Sequence, residues 1–429
     1  MFIDFQPIDV TVQNLDRIQL PRMVKIRQIY DKARIDNISA HVAQRLASAV
    51  ATPERFAGKR IAITAGSRGI PHYVEILKTI VGTLKGWGAQ PFVVPAMGSH
   101  AGATAEGQRS MLEGFGITEA SIGCPILSSM EVVQIATLSD GSPLYCDKNA
   151  YGADGIVVFN KVKAHTCFKA EHESGLLKMM VIGLGKHVGA ASMHAMGYGV
   201  FPSHLLEGGQ LFIQNAPVIF GIGLVQNAQD DISDIEVYPP EKIVEGDAEL
   251  LRISKEKMPQ FKFPSTDILV IDRIGKNVSG SGFDPNVVCR KDRVFPNALQ
   301  NQMIFCRGLT EETHHNATGL SSCDITTLRV VRDVDWGATW TNIMTAVPAS
   351  YCSIPCYAAN DRQALLWSVK SCLNLGPDGV RIVRILDTNH LEVIQVSENL
   401  AKELSVRDDI EILSEPFEMT FDRDDNLID

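Results

Sequence analysis

The sequence alternates short apolar runs with longer amphipathic segments, and this alternation constrains the fold more than any other feature. Residues 60–64 form an apolar run typical of a buried strand, residues 74–87 have the spacing of an amphipathic helix, and residues 91–95 form a second apolar run. A strand, a helix and a strand in this order predict a βαβ unit with parallel strands. The pattern continues along the chain, with predicted strands at 155–159, 267–271 and 380–386 and predicted helices at 104–116, 174–183 and 361–373. We therefore predict an α/β fold with parallel or mixed sheets flanked by helices.

The length of the chain bounds the number of domains. With 429 residues, of which 45% are hydrophobic and 21% are charged, the chain can form two or three domains of roughly 150 residues each. A charged, proline-containing stretch at 241–264 separates the two blocks of strands and helices. We predict an N-terminal catalytic domain at 1–264 and a C-terminal α/β domain at 265–429 that closes the active site, which lies in the crevice between them.

The net charge and the N-terminal residues indicate which binding partners and which cellular location to expect for this protein. The formal net charge is −10, and no block of basic residues or basic run interleaved with aromatic residues occurs, which argues against a nucleic-acid partner. The N-terminus lacks a basic region followed by a long apolar stretch, and no apolar run is long enough to span a bilayer. We expect a cytoplasmic enzyme that binds neither nucleic acid nor a membrane. The sequence leaves the oligomeric state open, a homo-oligomer included.

The chain has nine cysteines and no C-x-x-C pair. The cysteines are therefore expected to be reduced and mostly buried. Cys352 and Cys356, which three residues separate, are a weak indication of a cluster or a metal site. One alternative function is thus an iron-sulfur or nicotinamide-type redox enzyme that uses these thiols.

Side chains suited to anion binding and proton transfer follow four predicted strands. They are Arg68, His100, His165 and Lys276, which come after the strands at 60–64, 91–95, 155–159 and 267–271. Ligands of open α/β sheets bind beyond the carboxyl ends of the strands, so we expect these side chains to line one crevice. Arginine binds carboxylates through its planar fork, lysine adds a point charge, and histidine transfers protons near neutral pH. Each residue alone is more often an ordinary loop residue, and a non-catalytic anion-binding module is a second alternative.

Lys178 is the only charged residue in the segment 174–185, and apolar residues lie on both sides of it. In a packed helix this amine is at least partly desolvated, which can lower its pKa by up to about 3 to 5 units and leave it nucleophilic. The alternative is a surface lysine whose stem packs while its amine stays in water. Downstream, His187 and His194 are about 10.5 Å apart along a helix, too far for both to bind one ion. A single histidine can still bind a metal whose other ligands come from a cofactor.

Other motifs do not fit. The segment 183–187 resembles the end of a P-loop, but Met180 stands in place of the upstream glycine and His187 in place of the final Ser or Thr. No G-x-G-x-x-G follows a strand with a suitable acidic residue downstream, and neither H-E-x-x-H nor G-x-S-x-G occurs. The glycine-rich loop at 275–282 is either a phosphate cradle or a flexible turn.

The order and spacing of these residues resemble the lactate racemase family, whose members bind a nickel-pincer nucleotide derived from nicotinic acid. The resemblance covers most of residues 55–200, and its most specific part is the spacing of sixteen residues between Lys178 and His194. It implies a nickel complex of pyridinium-3,5-bisthiocarboxylic acid mononucleotide as cofactor, and racemisation or epimerisation of a small anionic 2-hydroxy acid as the reaction.

The resemblance also implies a role for each candidate residue. It makes Lys178 the cofactor tether through a thioamide, His194 the nickel ligand, His100 and His165 the acid/base pair, and Arg68 and Lys276 the residues that bind the substrate carboxylate. One histidine would remove the hydroxyl proton while hydride leaves Cα, and the transient 2-keto acid would be reduced on its other face.

The chain departs from the family in three places. Ala65 stands where the lactate enzymes carry an aspartate, and leucines at 176 and 177 replace smaller residues before the lysine. The segment between His165 and Lys178 is a few residues longer, which makes His172 a minor rival of His165. These differences favour a 2-hydroxy acid other than lactate as the substrate.

Overall fold

The structure is a computed structural model that describes residues 1–195, 197–290, 295, 297–346 and 349–428. The chain forms two compact units. The central unit is Lys32–Met258, and the terminal unit combines Met1–Asp31 with Pro259–Asp429. Both units contain sheets flanked by helices, which confirms the predicted α/β class.

The elements are numbered in chain order. Strand β1 (Met23–Gln28) precedes the central unit, whose strands are β2 (Arg60–Ala65), β3 (Gln90–Pro95), β4 (Val132–Thr137), β5 (Pro143–Asp147), β6 (Gly155–Lys161), β7 (Val218–Gln226) and β8 (Ile232–Tyr238). Its helices are α1 (Ile38–Ala49), α2 (Tyr73–Gly86), α3 (Ala105–Gly114), α4 (Glu119–Ile122), α5 (Lys148–Tyr151), α6 (Leu176–Lys178), α7 (Lys186–Ala195), α8 (Phe201–Asn215) and α9 (Ile243–Lys257), with a π-helix at Met179–Gly183. The predicted βαβ unit is confirmed, because β2, α2 and β3 begin and end within one residue of their predicted bounds.

The main sheet of the central unit has the strand order β3-β2-β6-β7-β8. Its first four strands are parallel and β8 is antiparallel. Ala65 at the end of β2 lies opposite Pro95 at the end of β3, and Ile63 lies opposite Val157 in β6. The chain thus builds β3 on one side of β2 and β6 on the other, so the strand order reverses between β2 and β6. In open α/β sheets such a reversal marks the ligand-binding edge.

Helices cover both faces of this sheet because its strands are apolar on both sides. Ile61 and Ile63 of β2 point into one core, which they share with the apolar face of α2. Ala62, between them, points into the other core together with residues of α6 and α8. Helix α2 buries a stripe with helical spacing, formed by Ile76, Leu77, Ile80, Val81 and Leu84.

The stretch 241–264, predicted as a separator, is mostly a packed helix. Helix α9 occupies Ile243–Lys257 and buries Leu250 and Leu251 against Val162 and Val225. Most of its charged residues lie on the outer face, with Asp247 as a buried exception, and this is why the stretch resembles a linker in sequence.

The predicted domain 1–264 includes residues that belong to the other unit. Strand β1 pairs antiparallel with β14 (Val393–Ser397) and β15 (Ile410–Ile412) of the terminal unit. The first 31 residues are therefore grouped with Pro259–Asp429. Periodicity in the sequence cannot predict this strand pairing, because the paired strands are far apart along the chain. The predicted crevice between the domains stays a prediction.

The remaining strands of the terminal unit are β9 (Ile268–Ile271), β10 (Met303–Cys306), β11 (Ile325–Thr327), β12 (Cys356–Ala358) and β13 (Ile382–Ile385), and its helices are α10 (Leu328–Asp333), α11 (Trp336–Ala346), α12 (Asp361–Ser371) and α13 (Glu398–Leu404). Its sheet has the order β12-β11-β10-β9-β13-β14-β1-β15, in which β9 to β13 are mutually parallel. Short 3-10 turns lie at Leu15–Arg17, Pro53–Phe56, Ala101–Ala103, Pro240–Lys242, Glu311–Thr313, Leu320–Ser322 and Ala349–Cys352. Among the described helices, none combines the length and apolar character that crossing a membrane requires.

Candidate active site

The Arg68 loop leaves β2 at the point where the strand order reverses. Tyr73, the first residue of α2, holds this loop in place. Its hydroxyl accepts a hydrogen bond from the Gly66 amide at 2.7 Å. A Cβ on Gly66 would lie 3.0 Å from the Cε of Met179, so the loop runs directly against the π-helix. Arg68 is exposed on this loop, where its charge acts on Lys178.

Lys178 ends α6 and is half-buried. Its amine donates a hydrogen bond to the Ser174 hydroxyl at 3.3 Å. Desolvation lowers the pKa of Lys178 to about 8, and the charge of Arg68 acts in the same direction. The predicted desolvation of Lys178 thus agrees with its surroundings, and its role as a nucleophile stays a prediction.

The N-terminus of α6 is fixed by a buried carboxylate that sequence reading missed. Asp247 of α9 accepts a hydrogen bond from the Leu176 amide at 2.5 Å. A Cβ on Gly175 would lie 2.0 Å from this carboxylate, so the position requires glycine. The other oxygen of Asp247 lies 3.3 Å from Nδ1 of His172, which is buried. His172 is therefore a structural partner of Asp247, and His165 is the better candidate for the acid/base histidine of this segment.

Beyond Lys178 the helix widens into a π-helix, Met179–Gly183. The Leu184 amide donates to the Met179 carbonyl at 2.9 Å, a five-residue spacing. Single π turns are rare and occur frequently at functional sites. The predicted helix at 174–183 is thus present, with its second half distorted.

His165 lies beyond the end of β6, on the other side of the reversal from Arg68. Its ring stacks on Phe168 with 4.3 Å between the ring centroids. The Cys167 amide donates a hydrogen bond to His165 Nδ1 at 3.1 Å. Desolvation holds the pKa of His165 well below its usual range, and the charges of Lys178 and Lys169 lower it further.

Glu173 holds the turn that carries His165, a role that no pattern in the sequence indicates. Its side chain is fully buried, and it accepts hydrogen bonds from the amides of His165 at 2.5 Å and Ala170 at 3.1 Å. Lys169 and Lys255 neutralise it, with nitrogen–oxygen distances of 3.3 and 2.7 Å. The turn is thus fixed from inside by one carboxylate.

His194 lies near the end of α7 and shares aromatic neighbours with His165. Its ring centroid is 5.3 Å from that of Phe201 and 6.3 Å from that of Tyr198. The same two aromatic rings lie 6.5 and 6.1 Å from the His165 ring. Nδ1 of His194 contacts the Ala190 carbonyl at 2.6 Å. Desolvation lowers the pKa of His194, and the charge of Lys178 adds to this effect.

The His100 loop leaves β3 and reaches the end of the π-helix. The Gly98 amide donates to the Gly183 carbonyl at 3.2 Å, and Gly98 has a φ of 57°, which favours glycine. His100 itself is exposed, with Nδ1 2.7 Å from the Met97 carbonyl. Three of the four predicted strand ends thus supply loops to one region of the central unit.

Lys276, the fourth of these candidate residues, belongs to the terminal unit. Its amine donates to the Asn342 side chain, and its backbone amide donates to Thr313 at 3.2 Å. The loop at 275–282 is closed on itself by a hydrogen bond of 2.9 Å between the Gly275 amide and the Gly282 carbonyl. A role for Lys276 in substrate binding stays a prediction.

The cysteines behave as expected, and six of the nine are buried. Cys352 is half-buried and Cys356 is exposed. Within the residues that the structure describes, no group of three or more His, Cys, Asp or Glu side chains is arranged to hold a metal ion, so the indication from Cys352 and Cys356 gains no support.

The residues at the reversal have the chemistry that a tethered metal cofactor needs. Lys178 offers an amine that is partly neutral near pH 8. The Ala190 carbonyl can only accept, so it takes the Nδ1 proton of His194 and leaves a lone pair on Nε2. Histidines that bind metals are held in the same way, by a hydrogen bond from the second ring nitrogen.

Comparisons with known proteins give structural likeness only. No family model matches the sequence, and no curated protein matches it. The lactate racemase apoprotein from Thermoanaerobacterium thermosaccharolyticum is similar in structure, with a TM-score of 0.47 and 16% identity over 90% of this chain and 97% of that one. A crystal structure of a Thermotoga maritima protein has a TM-score of 0.46 and 12% identity over 63% of this chain and 69% of that one. With TM-scores under 0.5, neither likeness adds to the functional argument.

The lowered pKa of Lys178 predicts its reactivity. An amine whose pKa is about 8 becomes neutral as the pH rises through 8, so acylation of Lys178 by a small reagent should rise with a midpoint near pH 8. Lys148 is the internal control, because hydrogen bonding to Glu131 raises its pKa. Peptide mass spectrometry of the apoprotein after brief labelling between pH 6 and 11 measures both. A Lys178 midpoint equal to or above that of Lys148 would contradict the assignment.

Proposed function

We propose that this protein is a nickel-dependent racemase or epimerase of a small anionic 2-hydroxy acid. The observation that carries the proposal is the gathering of Arg68, His165, Lys178 and His194 around the strand reversal of one sheet. Within this group the charge of Arg68 lowers the pKa of Lys178, and the charge of Lys178 lowers the pKa of both histidines. The sequence resemblance to the lactate racemase family gives the group its chemical interpretation.

Lys178 and His194 are the residues proposed to hold a nickel-pincer nucleotide. The partly neutral amine of Lys178 suits a covalent thioamide tether, and the Nε2 lone pair of His194 suits nickel. When bound, this group supplies a hydride acceptor for the substrate, so that the Cα hydrogen does not exchange with water.

The chain's own residues bind and orient the substrate. The Arg68 guanidinium is proposed to bind the substrate carboxylate, with Lys276 as a second cation. His100 and His165 are proposed to serve the hydroxyl oxygen, at which a proton leaves and returns. The aromatic rings of Phe168, Tyr198 and Phe201 pack around His165 and His194 and limit the access of water to these two histidines.

The substrate is proposed to differ from lactate. Ala65 ends β2 fully buried, where the resembling enzymes have an aspartate, so this chain places no carboxylate at that position. The difference favours a 2-hydroxy acid other than lactate.

The test is racemisation by protein purified from cells that make the cofactor. A panel of single-enantiomer 2-hydroxy acids is incubated in D2O, and chiral chromatography with mass spectrometry follows both configuration and deuterium content. We expect the opposite enantiomer of at least one acid to appear with protium retained at Cα. Rapid deuterium entry at Cα would indicate a carbanion mechanism instead. Binding without inversion would indicate an anion-binding module, and a visible chromophore that persists without nickel would indicate a redox enzyme.

A further inference from the structure

The hydrogen bond to His165 fixes which ring nitrogen carries the proton. The Cys167 amide points at Nδ1 from 3.1 Å, and a backbone N–H can only donate. Nδ1 of His165 must therefore offer a lone pair, and the neutral ring carries its proton on Nε2.

The other two histidines of the site have the opposite arrangement. Nδ1 of His100 lies 2.7 Å from the Met97 carbonyl, and Nδ1 of His194 lies 2.6 Å from the Ala190 carbonyl. A carbonyl oxygen can only accept, so both rings carry a proton on Nδ1. Their neutral forms therefore offer a lone pair on Nε2.

The turn around His165 resists a change of tautomer. Glu173, fully buried, accepts from the amides of His165 and Ala170 and so fixes the backbone on both sides of the Cys167 amide. Moving the proton to Nδ1 would set two N–H groups against each other and leave the Cys167 amide without its acceptor. The charges of Lys178 and Lys169 also oppose a second proton on the ring, because they lower the pKa of His165.

We infer that the two substrate histidines have different, fixed roles: His100 is the base, and His165 is a neutral hydrogen-bond donor. The hydroxyl proton moves to Nε2 of His100 and returns from it, while His165 keeps its Nε2 proton and stabilises negative charge on a substrate oxygen. This inference rests on the proposed function for the substrate, but the tautomers follow from the hydrogen bonds alone. It also replaces the symmetric acid/base pair that the sequence resemblance implies.

The tautomers can be measured without cofactor, substrate or activity. Long-range proton–nitrogen NMR of the 15N-histidine apoprotein at neutral pH distinguishes protonated from unprotonated ring nitrogens. We expect His165 to show a protonated Nε2 and an unprotonated Nδ1, and His194 to show the reverse pattern as an internal control. The variants His165→Gln and His194→Gln assign the signals. A protonated Nδ1 on His165, or a doubly protonated ring, would overturn the inference even if the protein racemises a hydroxy acid.

A pair of glutamine variants separates the two roles in the active protein. Glutamine can donate from its amide near the position of Nε2 but cannot act as a base. The kcat/KM of His165→Gln should therefore fall about tenfold, a loss that corresponds to the weakening of one hydrogen bond. The kcat/KM of His165→Leu, which has no donor, should fall about 10²- to 10³-fold. His100→Gln should lose about 10²- to 10⁴-fold, as expected for removal of a base. Equal losses in His165→Gln and His165→Leu would contradict the donor role. Absence of any wild-type racemisation would count against the proposed function and leave the NMR result standing.

Discussion

The rate of racemisation by Lys178→Arg is expected to fall by at least about 10⁴-fold, which is less than the total rate enhancement that enzymes typically provide. Arginine keeps the positive charge and nearly the length of the side chain, but a guanidinium cannot form a thioamide. Lys178 is the partly neutral amine of the site, with its pKa lowered to about 8, so the change removes the proposed nucleophile while conserving charge. Chiral chromatography of the product measures the loss.

The matched control for this variant is Lys148→Arg. Lys148 is an exposed lysine of the same unit, paired with Glu131 at 2.7 Å, and it lies outside the site. This control should keep wild-type activity and nickel content. Racemisation by Lys178→Arg at more than a tenth of the wild-type rate would show that the cofactor is held without a covalent bond to this residue, since arginine supplies only a charge.

Lys186→Met is expected to lower the free energy of unfolding by about 3–5 kcal/mol, the cost of breaking a buried ion pair. The side chains of Lys186 and Asp147 are both fully buried, with 3.1 Å between Nζ and the carboxylate. Lys186 also donates to the Pro95 carbonyl and lies 3.5 Å from the Gln108 side-chain oxygen. Without the ammonium, the Asp147 carboxylate is left charged in an apolar interior. Urea unfolding of the apoprotein measures the change.

A double variant separates loss of the pair from loss of packing. Asp147→Asn keeps an oxygen that can accept from the Ala150 amide, as Asp147 does at 2.9 Å, but removes the unpaired charge. The double variant Lys186→Met with Asp147→Asn should therefore be more stable than Lys186→Met alone. If it is less stable by the full sum of the two single changes, the ion pair is not the source of the effect.

This ion pair also bears on the geometry of the site. Lys186 begins α7, which carries His194, and its amine donates to Pro95 at the end of β3, from which the His100 loop leaves. This hydrogen bond from Lys186 to Pro95 joins the start of α7, which carries the proposed nickel ligand, to the strand before the proposed base. In the sequence Lys186 resembles the lysine of a P-loop, whereas its burial leaves no access for a phosphate.

Sequence periodicity was sufficient to predict the strands and helices whose buried residues follow a regular pattern along the chain. The strands at 60–64 and 91–95 and the helix between them have uninterrupted apolar patterns, and the structure places them as expected. Lys178 could be singled out because one charge among apolar neighbours is visible in the sequence itself.

Contacts between distant segments could not be predicted in this way. The pairing of β1 with β14 joins residues more than 360 positions apart, so the grouping of the first 31 residues with Pro259–Asp429 could not be predicted from periodicity. Asp247 and Glu173 look like ordinary surface acids in sequence, and only the fold shows that each holds the backbone beside a candidate residue. The same reason explains why His172 and His165 could not be separated beforehand.

The most direct test of the central claim is intact-protein and peptide mass spectrometry of the holoprotein. Protein from cells that make the cofactor should carry an added mass equal to the pyridinium bisthiocarboxylate mononucleotide on the peptide that contains Lys178, together with nickel by elemental analysis. The same protein with His194→Ala should keep the adduct and lose nickel, because tether and metal ligand are separate residues. An unmodified Lys178 peptide in protein that contains neither nickel nor nucleotide, although the cofactor pathway is active, would contradict the account.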